Sequence, residues 1–371
     1  DHQKILYHLS EQIRKRDHLV ICQDVDDSNT DSHGFSKWQF MPRTISALDF
    51  DTISTKQTFL GHVFDAPLFV TAMTGGIELG SMINRVIAKA CHQFRIPMSV
   101  GSQRIALEQI NFAEQFMVKD HFPDLFLIGN IGISALASSS YLDQVKRSIA
   151  MIKADALGIH CNLLQELIQP EGHRDYKMIW HHLERCVKEI QIPILVKEVG
   201  CGMDVITATR LAAIGVKVID VGGMGGVSWS VVEGRRAADL SRKNLGSLFQ
   251  SWGLSTAQSL MALKQASLGV SLTATGGIRD GLTVAKALVL GADMVGVGMP
   301  VLKACLADIA QQTKANPKDI EVDKELIDGI KIDHLESFFS EIIHGLKITQ
   351  MLTESQSIAD LKKSNLFQVE G

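Results

Sequence analysis

The chain has 371 residues, 46% of them hydrophobic, enough apolar material for one large core and more than the about 250 residues that a single (β/α)8 domain needs. Its 37 Lys and Arg nearly balance 41 Asp and Glu, for a formal charge of -4, so it lacks the overall positive field of a general nucleic-acid binder. Six scattered cysteines without a CxxC pair argue against a disulfide framework or a zinc knuckle, and no apolar run reaches the roughly 18 residues of a membrane span.

Residues 1–60 read as an N-terminal extension. It opens on DHQKILYHL, without the basic region and apolar run of a signal peptide, and the reduced thiols suit the cytoplasm. RKRDH, from Arg14 to His18, reads as a basic helix start, and the acidic, polar QDVDDSNTDSHG as a surface loop.

Residues 61–350 repeat one unit: a short apolar run, a Gly-rich or polar loop, then a helical stretch. The predicted strands are PLFVT ending at Thr71, IPMSV at Val100, LFLIG at Gly129, ALGI at Ile159, PILVK at Lys197, VKVIDV at Val221, VSLTAT at Thr275 and DMVGVG at Gly298. Eight such runs, none strictly alternating, suit parallel strands covered on both faces, and the chain is predicted to be an α/β protein, a (β/α)8 TIM barrel. Among the helices, Met82 to Phe94 puts Ile83, Val86, Ile87 and Ala90 on one face, and Leu282 to Leu290 joins strands seven and eight with almost no slack. The longest gap, about Gly222 to Gly269, is an elaborated loop between strands six and seven. The C-terminal tail, 351–371, is polar and carries no pattern. An open doubly wound sheet fits less well, because no GxGxxG follows the first strand.

ATGGIRDG, from Ala274 to Gly281, follows a strand and opens a helix, so Gly276 and Gly277 let the backbone approach an anion. VGVGMP then brings Gly298 and Met299, and the loops after strands seven and eight are where barrels frequently grip phosphate. Arg279 suits either an anion or a surface ion pair. Other strand ends deliver hydroxyls and amides able to read a flat ring: Ala72, Met73, Thr74, Gly75 and Gly76 after strand one, Ser102, Gln103 and Arg104 after strand two, and Asn130 after strand three. HCNLLQE places His160, Asn162, Gln165 and Glu166 together, with Leu163 and Leu164 packing away; Glu166 suits either Mg2+ or solvent. Lys197 either balances an electron-rich ring or a phosphate, or covers the strand end with its stem.

The chain resembles the type 2 isopentenyl-diphosphate isomerases through RKRDH, TAMTGG, GSQR, GNIG, HCNLLQE, PEGHR, VKEVG, DVGGMGGVSW, SWG and ATGGIRDG, in family order over roughly residues 12 to 305. The resemblance implies an FMN-dependent isomerase of isoprenoid synthesis that interconverts isopentenyl diphosphate and dimethylallyl diphosphate. It further implies Mg2+, NADPH or another reductant for the flavin, and a cytoplasmic homotetramer or homo-octamer. By motif, Ala72, Met73, Thr74, Ser102, Asn130, Lys197, Gly276, Gly277, Arg279, Gly298 and Met299 become flavin contacts. Arg14, Lys15, His18, Arg104, His160, Asn162, Gln165 and Trp229 become substrate-site groups, Gln165 and His160 the candidate catalytic pair, and Glu166 the metal ligand.

The chain departs from the family in places. Val227 replaces a hydroxyl that commonly contacts the flavin phosphate, a role left to Ser228; Val199 replaces a Ser of some relatives, and His173 a common acidic residue. The closest rival reading is an FMN-dependent hydroxy-acid oxidoreductase. Such barrels place a catalytic His just before a Gly-Gly turn, where this chain has Ala274 and Thr275.

Overall fold

A computed structural model describes residues 13–22, 32–75, 78–313 and 329–369. Gly76 and positions 23–31 of the acidic tract lie outside them.

All eight predicted strands form. They are β1 (Leu68–Val70), β2 (Met98–Ser99), β3 (Leu127–Gly132), β4 (Ala156–Cys161), β5 (Ile194–Glu198), β6 (Val218–Asp220), β7 (Ser271–Ala274) and β8 (Met294–Val297). Each pairs in parallel with the next, and β8 closes on β1. The predicted barrel is therefore the fold. Helix Glu78–Gln93 buries Ile83, Val86, Ile87 and Ala90, the predicted face.

The period of two along a strand decides what fills the barrel. Near the amino ends of the strands, Phe69, Ile128, Ala156, Leu195, Val218 and Met294 form an apolar cluster. Phe59 and Phe64 join it from the hairpin Gln57–Phe59 and His62–Phe64, which seals this end. Two residues further on, four of these strands carry Thr71, Asn130, Lys197 and Asp220 on the same inward face. An apolar plug thus underlies a polar layer that opens toward the carboxyl ends.

The long connection from β6 to β7 holds three helices, Trp229–Arg236, Leu240–Leu248 and Thr256–Ala266. A helix over residues 13–22 packs there as well: Cys22 and Val232 are buried together against Val227, Trp229 and Met299. The N-terminal extension therefore reaches the open end of the barrel. The tail is more ordered than its composition suggests, because Leu366–Gln368 pairs antiparallel with Trp38–Phe40 and Ile358 and Leu361 are buried. Among the described residues no helix is long and apolar enough to cross a membrane.

Candidate active site

The strand ends surround a cavity of about 930 Å³. On one side the turn after β7 holds Gly276 at φ 113° and Gly277 at φ 77°. A side chain on Gly277 would meet the Gly225 carbonyl at 2.7 Å, so the turn requires glycine both for its φ and for its closeness to the loop after β6. Arg279 folds back, donating to the carbonyls of Gly225 (3.3 Å) and Gly277 (3.1 Å). Gly298 and Met299 line the same wall, with Ala72, Met73, Thr74 and Ser102. Lys197 rises from β5 and donates to Thr71 Oγ1 at 2.9 Å, with the rest of its ammonium facing the cavity.

Asn130 and His160 meet on the floor. His160 Nδ1 donates to Asn130 Oδ1 at 2.9 Å, which leaves Nε2 as a lone pair. Burial pushes the imidazole down to a pKa of about 3, and the charges of Lys197, Arg104 and Arg14 add to the effect. It is neutral at pH 7.

The HCNLLQE segment leaves β4 and turns into helix Leu163–Ile168, which buries Gln165 and Glu166 while Leu163 points outward. Asn162 Nδ2 donates to Gln165 Oε1 (3.1 Å) and to Glu166 Oε1 (3.3 Å). The backbone N–H of His173 donates to Glu166 Oε2 at 2.7 Å, so the departure at His173 does not affect this contact. Asn162 Oδ1 is buried with no partner among the described residues, an acceptor waiting for a ligand.

Arg14, Lys15 and His18 reach the cavity from the 13–22 helix, and Arg104 from the start of helix Arg104–Glu108, which follows β2. Lys15 Nζ donates to the Gly75 carbonyl, and Arg14 donates to Gln169 Oε1 at 3.4 Å. His18 meets Trp229 edge to face with ring centroids 5.2 Å apart.

Sequence reasoning missed the residue that ties these groups together. Glu233, fully buried on helix Trp229–Arg236, accepts from His18 Nε2 and Gln165 Nε2, both at 2.8 Å, and from Arg236. Burial works against its charge, but the His18 hydrogen bond and the Arg236 guanidinium outweigh that and hold its pKa down to about 2. Burial also lowers the His18 pKa, against the raising effect of its hydrogen bond to Glu233. Glu198 was missed too. Its Oε2 collects the N–H groups of Val199, Gly200, Cys201 and Gly202 at 2.5–3.2 Å and fixes the loop above Lys197.

Two expected groups lie elsewhere. Ser228 does not line the cavity: as the residue preceding helix Trp229–Arg236 it turns toward Ser230 Oγ, 3.0 Å away, beside a much smaller void. Gln103 is fully buried and structural, donating to the Ser148 carbonyl and accepting from Asn130 N. The other described residues expected in the site all line this cavity.

A family model described as FMN-dependent dehydrogenase matches residues 149–314. The solved structures of similar fold include a lactate oxidase of Pediococcus acidilactici (TM-score 0.61, 16% identity, 92% of this chain and 86% of that one) and a flavocytochrome b2 (TM-score 0.61, 17% identity, 93% and 79%). At these identities the likeness is one of fold. An isopentenyl-diphosphate delta-isomerase of Pseudescherichia vulneris is 37% identical over 358 residues, 96% of each chain. One from Thermococcus kodakarensis is 40% identical over 298 residues, 78% of this chain and 79% of its own. With that identity along most of its length, the chain belongs to the type 2 isopentenyl-diphosphate delta-isomerases, FMN-dependent enzymes built on a (β/α)8 barrel.

Proposed function

We propose that the chain interconverts isopentenyl diphosphate and dimethylallyl diphosphate without net oxidation of either. The observation that carries this reading is the composition of the cavity. A glycine-lined wall with Lys197 suits a flat phosphorylated cofactor, while Arg14, Lys15, Arg104 and the Asn162–Gln165–Glu166 cluster suit a small diphosphate beside it.

The residues fit FMN. Gly276 and Gly277 keep the turn after β7 free of side chains, Arg279 lies beside it, and Thr74, Ser102, Asn130 and Lys197 offer neutral and cationic groups to a ring edge. Bound and reduced, FMN supplies an electron-rich face that stabilises positive charge and a ring nitrogen, N5, that exchanges protons; NADPH or another reductant provides that reduced form. Mg2+ fits more narrowly. Among the described residues no three His, Cys, Asp or Glu side chains form a metal cluster, so Glu166 and the free Asn162 Oδ1 would share the ion with water and diphosphate oxygens.

Moving the double bond adds a proton at the terminal carbon and removes one from C2, through a tertiary, carbocation-like C3. Gln165 orients or relays a proton, since Glu233 and Asn162 determine which way its amide faces. His160 binds the diphosphate rather than acting as base: a buried imidazole with a pKa of about 3 accepts protons poorly, and an arriving anion favours its charged form. Arg14, Lys15 and Arg104 hold the anion, and Trp229 with His18 shields the alkene from water. The enzyme is expected to act as a homotetramer or homo-octamer, which light scattering measures.

Hydroxy-acid oxidation, the chemistry named for the lactate oxidase and suggested by the dehydrogenase family match, lacks a base here. No ionisable side chain stands at Ala274 or Thr275. The test is parallel incubation of the FMN-loaded protein with isopentenyl diphosphate and with lactate or glycolate. Chromatographic appearance of dimethylallyl diphosphate supports the proposal, and oxidation of the hydroxy acids alone rejects it.

A further inference from the structure

The inner face of the barrel carries a charge that no step above uses. Asp220 ends β6 with no exposed surface, beside Lys197 in the register of the sheet. Its Oδ1 accepts from Thr275 Oγ1 at 2.8 Å and from the Gly222 N–H at 3.1 Å, while Oδ2 has no hydrogen-bond partner among the described residues. Lys197 donates to Thr71 and makes no direct ion pair with Asp220, so the two charges face each other across neighbouring strands of the same layer. Burial pushes the Asp220 carboxyl up, and the charge of Lys197 is the largest effect drawing it back. A carboxylate so deep in a barrel is retained only against a cation or strong donors.

We infer that Asp220 acts on the flavin through Lys197: its buried carboxylate, in register with Lys197 on the neighbouring strand, tempers the positive charge that Lys197 presents to the edge of FMN. The inference rests on the proposed placement of FMN over Lys197. A cation beside the ring favours the reduced, more electron-rich cofactor, and a buried anion beside that cation opposes it. Lys197 therefore raises the reduction potential of bound FMN, and Asp220 limits the rise. Without Lys197, an isolated Asp220 takes up a proton and has no charge left to exert.

The experiment is anaerobic redox titration of bound FMN in the wild-type holoenzyme and in Asp220→Asn, Lys197→Met and the double variant. Asp220→Asn should raise the ratio of reduced to oxidised FMN at a fixed potential about tenfold, a shift of about 30 mV for two electrons. Lys197→Met should lower the ratio, and adding Asp220→Asn to it should change nothing further. Thr275→Val, which removes one donor from the carboxylate, should shift the ratio in the same direction as Asp220→Asn by less, and serves if Asp220→Asn fails to fold. If Lys197→Met lowers the ratio but neither Asp220→Asn nor Thr275→Val raises it, the role of Asp220 is wrong and the placement of FMN stands. An Asp220→Asn shift that persists in the Lys197→Met background also overturns the inference, because Asp220 then acts without the lysine. If Lys197→Met leaves both FMN binding and potential unchanged, the placement and the inference fall together.

Discussion

Replacing Glu233 by Gln should weaken the fold and misorient Gln165 at once. The carboxylate takes three donors, from His18, Gln165 and Arg236. A glutamine offers one acceptor oxygen and an NH2 group, so at least one of those donors would face another donor. Breaking a buried ion pair costs about 3–5 kcal/mol. The low end applies, because Arg236 keeps Glu171 at 3.5 Å and Asp17 at 3.9 Å. With an unfolding entropy of roughly 2.1 cal/mol/K per residue over 371 residues, a loss of about 3 kcal/mol lowers Tm by roughly 4 °C. The catalytic effect has a separate origin. The wild-type carboxylate accepts only from the Gln165 NH2, whereas the introduced amide accommodates either end of the Gln165 side chain, so only Asn162 still selects the productive orientation and kcat drops by up to about twofold. Thermal melts of the FMN-loaded variant and initial rates measure the two effects. A Tm within about 1 °C of wild type together with an unchanged kcat would refute the reasoning.

Other substitutions address other parts of the cavity. Folded His160 takes its proton near a pKa of about 3 and an unfolded imidazole near 6.5, so stability is complete above about pH 6.5 and falls as pH drops toward 3. Urea melts at pH 7 and pH 5 should show a shallower loss for His160→Asn, which should also raise KM for the diphosphate more than it reduces FMN content. Glu166→Gln keeps an acceptor for the His173 N–H but loses the charge, so half-maximal activity should need more Mg2+ while bound flavin stays constant. Gly277→Ala forces a side chain into a left-handed turn 2.7 Å from the Gly225 carbonyl, at a cost of about 1–3 kcal/mol, and should reduce the visible absorbance of the purified protein.

The barrel was legible because strands covered on both faces must be apolar through their length and must end where the chain meets the cavity. VKVIDV shows what that pattern hides: Asp220 interrupts an apolar run, a visible anomaly, but its meaning depends on Lys197 one strand away. Glu233 gave no local signal at all. In WSVVEGRR it looks like one charge on an exposed helix, and its partners His18 and Gln165 lie 215 and 68 residues distant. Where the Ser228 hydroxyl faces was likewise not legible. It adjoins Val227, which lines the cavity, yet the start of the next helix turns its hydroxyl toward Ser230. The tail pairs through three residues at each edge, too few for alternation to announce a strand.

The proton-transfer account is tested most directly by counting reductant against product. With FMN reduced once under anaerobic conditions, Mg2+ present and isopentenyl diphosphate in excess, many equivalents of dimethylallyl diphosphate should form per flavin while the reductant remains unspent. Consumption of one reductant equivalent for every product molecule would contradict it.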